Sequence, residues 1–305
     1  MSKGLAVAVL TTPVERDGHP DYSKLERLVD RLCGSEVGAL FPCASTGEYV
    51  HFPLEENAEI LRCVARAAGG RKRLFAGVAS TTLRHSLMLM EKARQLGYED
   101  CVACPPYYYP LSQQEVLAFY RALCQAAEGM RITAYHVPFM TTGIVPETLR
   151  ELLETTPLAG VKDSSADLKR IGHIVRMAAT RPDFQIYTGT DDCLLSALVL
   201  GCHGSMTALA GSVPGRIAAL YEAWRSGDLR KAERRQSELL PLLSIADALP
   251  FPVGYKLVTE MTMGVPSESC LRLCDADRLA QARTRIRDIL EQWGELDESV
   301  VMAGC

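Results

Sequence analysis

Eight short apolar runs alternate with longer amphipathic segments along most of this 305-residue chain. The segment 22–33 is typical of the amphipathic ones, because its apolar residues follow the three-and-four spacing of a helix that buries one face. Strict alternation of strand and helix implies a parallel sheet, and eight such units predict a closed (β/α)8 barrel, or TIM barrel. The predicted strands are 5–11, 37–42, 74–79, 98–103, 132–136, 158–162, 185–188 and 204–207.

The alternative architecture is an open, doubly wound sheet. That fold would place a glycine-rich, phosphate-binding turn after the first strand. Residues 12–18 instead read Thr-Pro-Val-Glu-Arg-Asp-Gly, so the barrel is favoured. After Trp224 the pattern changes to three helices without strands, over 229–243, 255–263 and 275–293. We therefore predict a catalytic barrel over residues 1–224 and a C-terminal helical region over residues 225–305.

Composition excludes several classes of protein. The chain is 48% hydrophobic and 23% charged with a formal net charge of -4, which is typical of globular proteins and predicts no nucleic-acid partner. No apolar stretch reaches membrane-spanning length, and the first apolar run is too short for a signal peptide, so we expect a cytoplasmic protein. Cys101 and Cys104 have the spacing of a metal or redox pair but face opposite sides of a predicted strand, so no metal site is expected.

Lys162 ends a buried apolar run. Residues 158–162 read Leu-Ala-Gly-Val-Lys, and the polar residues Asp-Ser-Ser follow at once. Burial disfavours the ammonium form of a lysine, and a neutral amine can attack a carbonyl carbon to form a Schiff base. The alternative is a lysine whose charged end simply reaches water. Our hypothesis is that Lys162 is a nucleophile.

Other strand ends carry groups that suit such a site. Ser45 and Thr46, in the sequence Ala-Ser-Thr-Gly-Glu at 44–48, offer hydroxyls for a substrate carboxylate, or else cap a helix. Tyr135 could move protons if it points inward, or could be an ordinary core tyrosine. The polar turn 189–192 could bind substrate or cap a helix, and the small residues around Met206 leave room for a ligand. An anion site, a tyrosine and a lysine at the ends of different strands of one barrel predict an active site.

Four motifs together resemble the dihydrodipicolinate synthase/N-acetylneuraminate lyase family over nearly the whole chain. They are Ala-Ser-Thr-Gly-Glu at 44–48, Pro-Tyr-Tyr at 106–108, Tyr-His-Val-Pro at 135–138 and Gly-Val-Lys-Asp-Ser-Ser at 160–165. The resemblance implies a pyruvate-type class I aldolase with no cofactor beyond the lysine imine. Lys162 would form the Schiff base with a 2-oxo acid, Ser45 and Thr46 would hold its carboxylate, and Tyr135 would shuttle protons.

The same resemblance implies an assembly. In the family the second tyrosine of the Pro-Tyr-Tyr motif, here Tyr108, reaches into a neighbouring subunit's site. Thr46 would link the phenols of Tyr135 and Tyr108 in a proton relay. The family's usual state implies a homotetramer, built as a dimer of dimers.

This sequence departs from the synthases of the family at Met140. Synthases carry an arginine there that contacts the carboxylate of the incoming aldehyde, and a thioether cannot replace it. Gly189, Asp191 and Asp192 resemble the turn by which sialate lyases hold a polyhydroxylated tail, although those lyases carry a glutamate where Asp192 stands. Ala208 also lacks the serine hydroxyl of those lyases. We therefore predict a lyase or aldolase that cleaves or forms a sugar-acid or hydroxy-oxo-acid substrate with pyruvate as the small fragment. The alternatives are 4-hydroxy-tetrahydrodipicolinate synthase, a dehydratase or deaminase of the family, and a non-catalytic ligand-binding relative.

Overall fold

The computed structural model describes residues 4–270 and 274–297. Eight strands pair in chain order, each parallel to the next, as a closed barrel, which confirms the predicted (β/α)8 fold. All eight predicted strands are present, within three residues of the predicted limits. The strands are β1 (Leu5–Val9), β2 (Ala39–Phe41), β3 (Arg73–Gly77), β4 (Asp100–Ala103), β5 (Arg131–His136), β6 (Gly160–Asp163), β7 (Gln185–Thr188) and β8 (Gly204–Thr207).

Helices follow the strands as the sequence predicts, with one addition. The predicted helix limits 22–33 and 146–155 agree with the structure. A single helical turn before Pro214 was not predicted, because four residues are too few to display a helical period. Within the described residues the helices are α1 (Tyr22–Cys33), α2 (Leu54–Ala68), α3 (Leu83–Gln95), α4 (Gln113–Gln125), α5 (Pro146–Thr155), α6 (Leu168–Met177), α7 (Leu194–Leu200), α8 (Leu209–Ser212), α9 (Pro214–Arg225), α10 (Leu229–Asp247), α11 (Val253–Met263) and α12 (Ala276–Trp293).

Side-chain caps explain where several helices begin. Asp21 accepts a hydrogen bond from the backbone N–H of Lys24 at the start of α1, and Asp167 does the same for Arg170 at the start of α6. Ser112 and Glu115 form a reciprocal capping box at the start of α4. These caps satisfy backbone donors that a helix leaves unpaired in its first turn.

The chain forms two compact units, one of residues 4–5 and 74–206 and the other of residues 6–73 and the described residues after 206. In the first unit, β4 to β7 are paired side by side, with Tyr135 of β5, Lys162 of β6 and Tyr187 of β7 in register. Register partners in parallel strands point to the same face of the sheet, so these three side chains share one layer. The proposed boundary between residues 224 and 225 stays a prediction.

The second unit contains β1, β2 and the C-terminal helices α8 to α12. Its interior helix is α11, which is buried at most of its positions, including the charged residue Lys256. The three C-terminal helices predicted from sequence correspond to α10, α11 and α12. No helix among the described residues has both the length and the apolar character that crossing a membrane requires.

Candidate active site

Lys162 is buried in the sheet with its amine over an aromatic ring. It lies within β6, which continues one residue further than predicted, to Asp163. Only 4% of Lys162 is exposed, and its Nζ lies 4.2 Å from the centroid of the Tyr135 ring. The strand fixes the position of the lysine backbone, and the neighbouring strand fixes the position of the ring. The sequence prediction of a buried lysine at this strand end is therefore matched by its geometry.

The Tyr135 phenol has a second polar neighbour in Ser164. The Ser164 Oγ lies 3.5 Å from the Tyr135 hydroxyl, at the outer limit of a hydrogen bond. Ser164 follows β6 directly, and its backbone N–H donates to the carbonyl of His136, which extends the pairing of β5 and β6. Both side chains are buried. An amine, a phenol and an aliphatic hydroxyl thus meet at the ends of two adjacent strands.

Gly189 leaves the space that Lys162 and Ser164 occupy. A Cβ at position 189 would lie 1.9 Å from the Ser164 Oγ and 2.9 Å from the Lys162 Cε. The backbone N–H of Gly189 donates to the Asp163 carbonyl, so the turn after β7 is fixed against β6. The sequence interpretation placed Gly189 among substrate-binding residues, and the structure brings it against the lysine itself.

The residue beside the lysine in the chain, Asp163, anchors this strand end. Its carboxylate accepts a hydrogen bond from the Arg170 Nε at 2.7 Å, and the side chains of Asp163 and Arg170 are 0% and 9% exposed. The backbone N–H and the hydroxyl of Ser165 also donate to it. Asp163 and Lys162 are adjacent in a strand and point to opposite faces. The ion pair therefore holds the strand from the face opposite Lys162.

His136 also lies outside the layer that Tyr135, Lys162 and Tyr187 share. Its Nδ1 accepts a hydrogen bond from the backbone N–H of Ile144 at 2.9 Å, which fixes the loop after β5. Burial lowers the pKa of His136 to about 4, against an opposing effect of the Asp163 carboxylate. The imidazole is therefore neutral near pH 7 and able to accept this bond.

In the second compact unit, Ser45 and Thr46 lie in a turn of 3-10 helix, Ser45–Gly47, that follows β2. Gly47 lies against the end of β1, because a Cβ there would be 3.0 Å from the Leu10 carbonyl oxygen and 3.1 Å from the Thr12 Oγ1. Thr46 is buried and Ser45 is partly exposed. The turn therefore presents two hydroxyls on a tightly packed backbone.

Four other predicted site residues differ in their exposure. Tyr108 is 85% exposed and has a positive φ of 84°, and its ring meets that of Tyr109 edge to face with centroids 5.0 Å apart. Met140 is 43% exposed in the loop after β5. Asp191 is buried in the turn after β7, and Met206 is buried within β8. In the described parts of the chain, no three His, Cys, Asp or Glu side chains are grouped to hold a metal ion.

Two neighbours of Tyr135 and Lys162 were missed from the sequence. Ser164 was noted only as part of the polar segment after Lys162, and nothing there indicates that its hydroxyl turns back towards Tyr135. Tyr187 lies beside Lys162 in the strand register and packs edge to face on Phe75, with centroids 6.0 Å apart. The alternation of inward and outward residues along β7 is the signal that could have identified it.

Comparison with known proteins identifies the family of this chain. The sequence model of the dihydrodipicolinate synthetase family matches residues 1–293. A 4-hydroxy-tetrahydrodipicolinate synthase of Caldicellulosiruptor saccharolyticus is 31% identical over 254 residues, which is 82% of this chain and 84% of that protein. A 2-dehydro-3-deoxy-D-gluconate/2-dehydro-3-deoxy-phosphogluconate aldolase of Picrophilus torridus is 30% identical over 247 residues, which is 81% of this chain and 91% of that protein.

A solved structure of an aldolase is also similar to this chain. The 2-keto 3-deoxygluconate aldolase from Picrophilus torridus superposes with a TM-score of 0.79 at 29% identity, covering 85% of this chain and 93% of that one. The relatives of this chain thus include proteins named as synthases and proteins named as sugar-acid aldolases. This chain belongs to the dihydrodipicolinate synthetase family and is a class I aldolase of that family, whose lyases and aldolases act through a lysine Schiff base.

Proposed function

We propose that this enzyme cleaves or forms a 2-oxo acid of the sugar-acid or hydroxy-oxo-acid type, with pyruvate as the small fragment and Lys162 as the Schiff-base residue. The observation that carries the proposal is the buried Lys162 amine over the Tyr135 ring, with the Ser164 hydroxyl beside the phenol. Among the four sequence motifs at 44–48, 106–108, 135–138 and 160–165, Lys162 is the single lysine.

The reaction begins with attack of the Lys162 amine on the keto carbon of the substrate. Loss of water gives a protonated imine, which acts as an electron sink. When the bond between the third and fourth carbons breaks, its electron pair forms an enamine, and the hydroxyl on the fourth carbon becomes the aldehyde. Protonation of the enamine carbon and hydrolysis of the imine then release pyruvate and regenerate the amine.

Tyr135 is the group placed to carry the proton from that hydroxyl. Its phenol belongs to the same layer as the lysine, so it would lie beside any carbon bound to Nζ. A phenol is a weak base near neutral pH. The cationic imine and a hydrogen-bonded relay through Ser164 would both favour the proton transfer.

Ser45 and Thr46 are proposed to hold the substrate carboxylate. Catalytic groups of (β/α)8 enzymes come from the carboxyl ends of several strands, and the Ser45–Gly47 turn follows β2. Hydroxyls and backbone N–H groups in such a turn suit an anion. We assign Thr46 a further role in the relay between Tyr135 and Tyr108, as the family resemblance implies.

The larger fragment is proposed to be a neutral, hydroxylated aldehyde. Gly189 and Asp191 are in the turn after β7, beside the lysine strand, where a carboxylate can accept hydrogen bonds from substrate hydroxyls and backbone N–H groups can donate to them. Met206 would line the same chamber. At position 140 an exposed thioether offers no cation for a second carboxylate.

A second candidate function is 4-hydroxy-tetrahydrodipicolinate synthesis. The observation in its favour is the 31% identity to a relative of that name. It requires recognition of an aldehyde that carries its own carboxylate, and Met140 is the residue that argues against this. A dehydratase or deaminase acting on a hydroxylated 2-oxo acid would use the same imine and differs only in the bond broken next.

We also propose that copies of the chain associate through the aromatic residues of two neighbouring loops. Tyr108, Tyr109 and Phe139 are 85%, 75% and 69% exposed, which is a large exposed fraction for aromatic side chains. The two loops are joined by a hydrogen bond from the Leu111 N–H to the Thr142 Oγ1 at 2.8 Å. Association here would cover this surface and allow Tyr108 to reach a partner's site in a homotetramer.

Light scattering tests this association. Tyr109→Asp should lower the particle mass, whereas Tyr108→Phe should preserve the mass and lower turnover. A wild-type particle with the mass of a single chain would contradict the proposed assembly.

The imine is tested by incubating the enzyme with pyruvate and borohydride and locating the adduct by peptide mass mapping. We expect one adduct, on Lys162, that is absent from Lys162→Ala. The matched control is Lys169→Ala, which removes an exposed lysine from the nearby helix α6 and should be modified like the wild type. An unmodified wild type, or an adduct that persists in Lys162→Ala, would overturn the proposal.

Substrate choice is tested by pyruvate release from 2-keto-3-deoxygluconate, its 6-phosphate and N-acetylneuraminate, compared with condensation of pyruvate and aspartate semialdehyde. We expect sugar-acid cleavage to exceed condensation in the wild type. Met140→Arg should raise condensation relative to cleavage, because it supplies a bidentate partner for the semialdehyde carboxylate. Condensation by the wild type at the rate of its cleavage would favour the synthase instead.

A further inference from the structure

The turn that carries Ser45 and Thr46 is bounded by two strained residues. Cys43 has a φ of 55° and Glu48 a φ of 57°, although neither is glycine. Residues without glycine's freedom persist in this left-handed region only where their surroundings hold them there. Strain of this kind at both ends of one short segment indicates that surrounding contacts hold the segment in its conformation.

Glu48 is held by residues from the C-terminal region. Its carboxylate forms an ion pair with the Lys256 ammonium of α11, and the two side chains are 2% and 3% exposed. Its Oε1 also accepts hydrogen bonds from the Ser269 hydroxyl at 3.2 Å and from the Cys270 backbone N–H at 3.1 Å. All of these groups lie in the same compact unit as the turn.

Lys256 is itself held in place. Its Nζ donates to the Glu268 carbonyl oxygen at 2.8 Å, so the amine joins α11 to the segment that also contacts Glu48. A buried ion pair is not, in general, more stabilising than apolar residues of the same size. Stability alone therefore does not explain a buried Lys–Glu pair at the end of a strained turn.

Further contacts restrict the movement of the Ser45–Gly47 turn. Gly47 is packed against Leu10 and Thr12 at the end of β1, and the backbone N–H of Glu48 donates to the Ser45 carbonyl. A change in the Glu48 backbone would therefore be transmitted directly to the orientation of the Ser45 and Thr46 hydroxyls.

We propose that Lys256 is a positioning residue for substrate binding. Through Glu48 it fixes the Ser45–Gly47 turn in the conformation that receives the carboxylate of the 2-oxo acid. The C-terminal helix α11 is thereby part of the scaffold of the substrate site. This inference rests on the proposed function for the identity of the ligand, but not for the effect on the turn.

The test compares Lys256→Met with Lys256→Arg and with a matched control. Lys72→Met is the control, because Lys72 is another partly buried lysine of the same unit whose Nζ donates to two backbone carbonyls, those of Ser35 and Val37. Borohydride trapping is measured against pyruvate concentration. We expect Lys256→Met to raise the half-saturating concentration by about tenfold or more with little change in the limiting rate, since misplaced contacts weaken binding steeply.

Lys256→Arg should recover part of the affinity, and Lys72→Met should leave the half-saturating concentration unchanged. An unchanged value in Lys256→Met, or an equal rise in Lys72→Met, would overturn the inference. If Lys256→Met does not fold, Glu48→Gln removes the charge pair while keeping the shape of the side chain, and the same criteria apply.

A second readout is independent of catalysis. Amide hydrogen exchange of the peptide spanning residues 43–52 should accelerate in Lys256→Met but not in Lys72→Met. Failure of the wild type to trap pyruvate would refute the proposed function alone, because the exchange comparison still decides whether Lys256 fixes the turn. Equal exchange in both variants would refute the positioning role even in an active enzyme.

Discussion

The Lys162 Nζ lies 4.2 Å from the centroid of the Tyr135 ring, and the two residues are register partners on adjacent strands. A protonated amine in that position is attracted to the ring face, by about 0.5–2 kcal/mol. Because both residues lie within strands, little backbone motion can separate them. The proposed nucleophile and the proposed proton carrier therefore face each other before any substrate binds.

Tyr135→Phe should separate imine formation from bond cleavage. The phenylalanine ring preserves the contact with Lys162, so borohydride should still trap pyruvate on the lysine. Cleavage of the best sugar-acid substrate should fall by about 10²–10⁴-fold, the usual contribution of a positioned acid or base. Tyr109→Phe, an exposed tyrosine, is the control and should retain activity. Wild-type cleavage by Tyr135→Phe would assign the proton transfer to another group.

Gly189→Ala should impair the enzyme through a steric conflict with Lys162. The added Cβ would lie 1.9 Å from the Ser164 Oγ and 2.9 Å from the Lys162 Cε, so these groups must move. We expect kcat/KM to fall by about tenfold or more and stability to fall by about 1–3 kcal/mol. Steady-state kinetics and chemical unfolding measure the two effects.

The control for this change is Gly172→Ala in helix α6, where an added Cβ meets no atom within 4 Å. Alanine in a helix interior is favoured over glycine, so this variant should be as stable as the wild type or slightly more stable. Ser164→Ala combined with Gly189→Ala should recover part of the lost stability by removing the shortest contact. A fully active Gly189→Ala would show that the turn after β7 adapts without disturbing the lysine.

The barrel and its lysine were predictable because both are encoded locally. Most strands are short and largely apolar, since barrel strands are buried on both faces, and amphipathic helices such as α1 show their own period. Lys162 stands out because it interrupts the end of such a run. The strand limits were less exact, and β6 continues through Asp163 because Arg170 and Ser165 satisfy that buried carboxylate.

The contacts that shape the site were not predictable, since they join residues far apart in the chain. Nothing adjacent to Gly189 indicates that Ser164 and Lys162 fill the space beside it. The pairing of Glu48 with Lys256 depends on where α11 packs, and a helix period does not specify this. A sequence pattern predicts the helix or strand to which a residue belongs. These contacts depend instead on how helices and strands pack against one another.

Arg170→Met should be strongly destabilising. It would leave the buried Asp163 carboxylate without its cationic partner, and removing one member of a buried pair costs about 3–5 kcal/mol. Arg62→Ala, which breaks an exposed pair with Glu59, should have a much smaller effect on stability, because water screens that pair. Chemical unfolding of the two variants at neutral pH provides the comparison. Equal losses would mean that water reaches Asp163 in the folded protein.

His136 should make the folded enzyme sensitive to mild acid. Burial lowers its pKa from 6.5 to about 4, so the folded state disfavours the protonated form. Above pH 6.5 the residue is neutral in both states and its contribution to stability is constant. As the pH falls from 6.5 towards 4, the unfolded chain binds a proton that the folded protein does not. The free energy of unfolding should therefore decrease, by up to about 3 kcal/mol.

The measurement is chemical unfolding of the wild type and His136→Asn at pH 7.5 and pH 4.5. Asparagine offers an amide oxygen that can accept the Ile144 N–H, as the His136 Nδ1 does, but it does not titrate. Other ionisable groups contribute equally to both proteins, so any stability advantage of the wild type should shrink by about 2 kcal/mol or more at the lower pH. Parallel pH profiles would mean that the imidazole is protonated as readily in the folded protein as in the unfolded chain.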